Sequence, residues 1–158
     1  MSNREELLDM AVHALAPLMD DNKNASAMDL YDDSMRIGQM LIDKVDETVA
    51  QSPDAPPRDE LMDMGVHAFS ALLKGRGTAD AAGLLDETMA VARSLIAKVD
   101  ATLAAEGDGM DREELMDVAV HAQSGFLIGR PKMPADELSD ACIAVAKDMI
   151  AQADRATS

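Results

Sequence analysis

The chain has 158 residues, with 30 acidic against 14 basic side chains, a net charge of −16 and a single cysteine. So negative a surface repels nucleic acid, one cysteine forbids an internal disulfide, and no apolar run reaches the roughly 18 residues that a bilayer span needs. There are 13 Met, no Trp, and only Tyr31, Phe69 and Phe126 as aromatics. The core must therefore be Leu, Met, Ile, Val and Ala, and there is no stacking platform for bases.

The first predicted helix carries Leu7, Met10, Ala11, Ala14, Leu15 and Leu18 at amphipathic spacing. Asn3 and Glu6 have capping-box spacing at its start, and Pro17 is expected to kink or end it. An early Asp9 within this pattern argues against a secretory leader, and the lone Cys142 fits a reducing compartment. The expected location is the cytoplasm. Ser26 is placed to cap a second helix, whose apolar side is Leu30, Ile37, Leu41, Ile42 and Val45 and whose polar side holds Asp32, Arg36 and Asp43. A linker, 51–57, follows. Pro57 suits the first turn of the third helix, Gly75-Arg76-Gly77 closes it, and Asp80 can cap the fourth. A second linker, 106–111, leads to Asp111 and Glu114 as the cap of the fifth helix. Gly129-Arg130-Pro131 ends that helix, and Pro134 suits the first turn of the sixth.

These elements recur in one register. His13, His67 and His121 lie 54 residues apart (67 − 13 and 121 − 67), as do Arg4, Arg58 and Arg112, Leu30, Leu84 and Leu138, and Asp46, Asp100 and Asp154. The sequence thus predicts an all-α protein of three tandem helix–loop–helix units, 1–50, 58–105 and 112–157. A lone hairpin leaves its apolar side bare, so the units must pack together. Two arrangements satisfy this: a closed six-helix bundle of approximate threefold symmetry, or a short open helical stack.

The third unit, from His121-Ala122-Gln123-Ser124-Gly125-Phe126 through Asp136-Glu137-Leu138 to Ala144-Val145-Ala146-Lys147-Asp148-Met149-Ile150-Ala151, resembles short phage and prophage helical-hairpin proteins. The first unit echoes it with Ala11-Val12-His13-Ala14-Leu15 and Arg36-Ile37-Gly38-Gln39-Met40-Leu41. Lys147 and Gln39 stand where those proteins usually have Asp. The resemblance implies a phage accessory protein acting on host machinery in the host cytoplasm, and it carries no activity.

Glu6, Asp9 and His13 share one helix side, as do Glu60, Asp63, His67 and Glu114, Asp117, His121. Asp and His at i, i+4 meet on a helix, so His13, His67, His121, Asp9, Asp63 and Asp117 are candidate metal ligands, and a threefold arrangement would gather the histidines. The plainer reading has Glu completing helix caps, Asp favouring the helix dipole and His pairing with Asp. Cys142 occupies the register position of Ser34 and Thr88, a packed small residue rather than a nucleophile, and Gly75-Arg76-Gly77 lacks the Walker lysine. The expectation is a non-enzymatic protein without a cofactor.

Two functions fit. One is a protein-binding module whose grooves draw on Met10, Met35, Met40, Met62, Met64 and Met89 to hold an amphipathic segment. The other is an acidic nucleic-acid mimic using Asp32, Asp46, Asp86, Asp100, Asp140 and Asp154 against a DNA- or RNA-binding enzyme. Either implies a protein partner with a basic or amphipathic surface, with neither nucleic acid nor membrane bound directly. Uncovered end faces would also allow a homo-oligomer.

Overall fold

A computed structural model describes residues 3–106, 109–129 and 132–158. Among these residues there are six α-helices and no strand: α1 (Arg4–Asp21), α2 (Tyr31–Gln51), α3 (Arg58–Arg76), α4 (Leu85–Glu106), α5 (Arg112–Gly129) and α6 (Ala135–Thr157). The helices overrun the predicted unit ends at 50 and 105 by one residue each. No helix is long and apolar enough to cross a membrane.

Each odd helix pairs with the next even one as a hairpin, and α3 lies between α1 and α5 while α4 touches both α2 and α6. The hairpins therefore follow one another in a row, the open arrangement, with the second in the middle. One apolar core runs through all three and includes fully buried Ile37, Leu41, Leu61, Leu95 and Leu115. Gly38 marks the tightest approach within the first hairpin: a Cβ there would sit 2.8 Å from the Ala11 backbone nitrogen.

Local signals account for five of the twelve helix ends. The Asn3 side chain accepts hydrogen bonds from the Glu5 and Glu6 backbone N–H groups, at 2.7 and 3.2 Å, and Asp111 accepts from Glu114 N–H at 3.0 Å. Ser26 caps a short 3-10 turn (Ala27–Leu30) that runs into α2, and the Asp29 carboxylate accepts from the Ser26 N–H to complete a capping box. Asp80 accepts from the Gly83 N–H ahead of α4. Gly77 closes α3 at φ 89°, a left-handed value that glycine takes without a Cβ penalty, and its N–H donates to the Leu73 carbonyl at 2.8 Å. The expected stop at Gly129-Arg130-Pro131 falls partly outside the described residues, as does the centre of the 106–111 linker.

Three local expectations need correction. Pro57 and Pro134 stand at the N-cap positions of α3 and α6, one residue ahead of the first turn. Of the two outcomes expected at Pro17, a kink or an end, the end is overturned: α1 continues to Asp21. A proline inside a helix deprives the carbonyl four residues back of its donor. Here that carbonyl belongs to His13, and the Ser70 hydroxyl on α3 donates to it at 3.1 Å, so the neighbouring hairpin supplies the missing bond.

Candidate functional site

The 54-residue register brings the three histidines onto adjacent helices α1, α3 and α5. They form a ladder, with ring centroids 5.8 Å apart for His13 and His67 and 5.5 Å for His67 and His121. The row of hairpins sets them in line, with His67 in the middle, instead of closing them around one point. His13 and His121 each place Nδ1 2.7 Å from the carbonyl oxygen of the Asp four residues back, and their carboxylate distances to Asp9 and Asp117 are 3.6 Å. His67 Nε2 stands 3.9 Å from Asp63. Burial lowers the His67 pKa below its ordinary value, and the neighbouring histidines add to this while Asp63 and Asp117 oppose it. Among the described residues no group of three or more His, Cys, Asp or Glu is arranged to hold a metal ion.

In the first two trios the glutamate, Glu6 or Glu60, pairs with an arginine of the next hairpin. Arg58 donates from both terminal nitrogens to Glu6, at 2.8 Å each, and from Nε to Asp46 at 2.5 Å. Arg112 does the same to Glu60, at 3.2 and 2.6 Å, and to Asp100 at 2.8 Å. One arginine at the start of each later hairpin thus clamps both helices of the hairpin before it. Two charge-assisted bonds from a planar fork outweigh the single backbone N–H that a capping Glu would accept. The clamp lowers the pKa of Glu6 and Asp46 and raises those of both arginines. A second ion pair repeats across each joint: Lys44 meets Asp86 at 2.7 Å and Lys98 meets Asp140 at 3.0 Å. Hydrogen bonding to these carboxylates raises both lysine pKa values.

Of the six candidate mimic residues, Asp46, Asp86, Asp100 and Asp140 are therefore held by cations of the adjacent hairpin. Asp32 and Asp154 have no partner among the described residues; they belong to the first and last hairpins. The same is true of the Arg4 side chain and the Glu114 carboxylate, which occupy the clamp positions at the two ends of the row.

The ends also differ from the interior in apolar burial. Val12 is 59 % exposed, whereas Val66 and Val120, at the same register on hairpins that have one before them, are 4 % and 1 % exposed. Leu8 and Met19 are exposed too, whereas at their registers Met62, Met116 and Leu73 are buried and Leu127 is half-buried. At the other end, Met149 is 56 % exposed where Leu41 and Leu95, on hairpins that have one after them, are buried. These end residues were not legible in the sequence, because periodicity marks an apolar side without saying what covers it. The methionine groove is corrected as well. Met10, Met62, Met64 and Met89 are buried core, Met35 and Met40 are half-buried, and among the described residues the exposed methionines are Met19, Met28 and Met149.

Cys142 packs at the buried register position it shares with Ser34 and Thr88, and burial pushes its thiol up to about 12. A thiol so protonated is a poor nucleophile at neutral pH. Gln123, fully buried, donates to the Val91 carbonyl at 3.1 Å while its own carbonyl oxygen has no partner. Comparison with family models, curated proteins and solved structures finds no match.

Proposed function

We propose that this chain is a non-enzymatic protein-interaction module that engages its partner through the end faces of the hairpin row. The observation that carries this reading is Val12. It lies on an apolar strip of α1, with Leu8 and Met19, that is exposed although the corresponding strip of α3 is buried and that of α5 is buried at Met116 and Val120 and half-buried at Leu127. Terminal units of a helical stack normally turn a polar face outward to stay soluble, and an apolar one signals an interaction surface.

The mimic reading is less favoured. An imitation of phosphate spacing needs free carboxylates in a row, and four of the six repeated Asp are neutralised by Arg58, Lys44, Arg112 and Lys98. The test is a comparison of the immobilised chain with a Val12→Asp variant, washed at high salt. A partner held through the apolar strip stays on the wild-type chain, because salt screens charge but not apolar contact, and is lost from the variant. Equal retention by both baits overturns the reading.

A further inference from the structure

We infer that the partner of the end faces is a second copy of this chain, docked head to tail, so that the α1/α2 end of one molecule continues the row begun by the α5/α6 end of another. The inference rests on the end-face reading above and names its occupant. The ion-pair framework of the joint that would form is already made twice within the chain, between the first and second hairpins and between the second and third. Each internal joint has an arginine clamp from the later hairpin to a Glu and an Asp of the earlier one. At the open ends the same parts stand unpaired among the described residues: Arg4 on one, Glu114 and Asp154 on the other. Adding 54 to the Glu60 and Asp100 positions that grip Arg112 gives Glu114 and Asp154, so the acceptor for a next arginine is in place.

The apolar surfaces complement each other in the same sense. Inside the chain, Val66, Val120, Leu41 and Leu95 are all buried, and at the first joint a Cβ on Gly65, next to Val66, would lie 3.8 Å from the Leu41 side chain. The exposed Val12 and Met149 are the two halves of that contact, left on opposite ends of one molecule. Opposite charges and matched apolar strips at the two ends select a head-to-tail contact over a symmetric one, which would set Arg4 against Arg4. Such heterologous contacts are not self-limiting and add one chain at a time unless a ring closes. The second ion pair is softened at this joint: Gln152 stands where the internal joints have Lys44 and Lys98, opposite the unpaired Asp32.

Sedimentation equilibrium of the full chain tests this. The wild-type mass should rise above 16.8 kDa with concentration, in steps of whole chains. Arg4→Glu, and separately the double variant Glu114→Arg/Asp154→Arg, should each weaken self-association by at least about tenfold, as reversal of a complementary charge does. All three residues are exposed and lack partners among the described residues, so each variant should keep the fold, with its thermal midpoint moved only by the small helix-dipole effect of the changed charges at Arg4 and Glu114. An equimolar mixture of the two variants should associate again, because one supplies an intact tail and the other an intact head. A wild-type chain that stays at 16.8 kDa up to millimolar concentration overturns the inference, while the end-face reading still stands or falls on Val12→Asp. A dimer that survives Glu114→Arg/Asp154→Arg is a symmetric contact and overturns it too, as does a mixture that fails to associate.

Discussion

The hydroxyl of Ser70 donates to the carbonyl oxygen of His13 across the first hairpin joint, at 3.1 Å. That carbonyl is the one Pro17 leaves without a donor in α1. The third hairpin has Gly125 in the Pro17 register, and its Ser124 turns to Val120 of its own helix, at 3.2 Å. A backbone gap created by one residue is thus filled by a side chain 57 positions from the carbonyl.

The pair predicts a non-additive cycle. Ser70→Ala leaves the partly buried His13 carbonyl without a bond and should cost about 1 kcal/mol in urea unfolding. In a Pro17→Ala background the introduced alanine has a backbone N–H that supplies the bond, so the same Ser70→Ala change should cost much less. Equal costs in both backgrounds would show that the hydroxyl does not serve the proline gap.

Glycines at two helix sites should respond with opposite signs. Gly38→Ala drives a Cβ to within 2.8 Å of the Ala11 backbone, which has no rotamer to move aside. The resulting strain, about 1–3 kcal/mol, exceeds the helix-propensity gain of about 1 kcal/mol, so the variant should be less stable. Gly125→Ala meets nothing within 4 Å and keeps the propensity gain, so its thermal midpoint should rise.

His67 should give the protein an acid response of its own. Burial lowers its pKa in the folded state below the ordinary 6.5, so the unfolded chain takes up the proton first. Stability is therefore full above about 6.5 and falls as pH drops from there through the lower folded value. Asp63, Asp117, His13 and His121 all act on this ring, but burial is the largest cause. His67→Gln should remove the loss in that window. The separate loss tied to Glu6 and Asp46 should remain. Their pKa values are lowered by Arg58 from 4.5 and 3.8, so the stability they add is present above those values and disappears as pH falls beneath them. Denaturant melts between about pH 7 and 3 on both proteins separate the windows. A His67→Gln variant that loses stability just below about pH 6.5 as the parent does would place the response elsewhere.

Much of this protein is decided by its sequence alone. Apolar spacing makes six helices, Asn3, Ser26 and Asp111 cap three of the helical segments, and the register of Ser34, Thr88 and Cys142 marks a buried position. All of these are local, since each depends on residues within a few positions of one another. Tertiary structure decided the rest. The row of hairpins, not a closed bundle, spreads the histidines into a ladder. Glu6 and Glu60 turn from their own helix ends to arginines 52 residues away. Met10 becomes core while Met149 meets solvent, although both lie on apolar sides of their helices. Periodicity fixes which side of a helix is apolar, but burial and ion pairing depend on which neighbour arrives there, and at the two ends of this row no neighbour within the chain does.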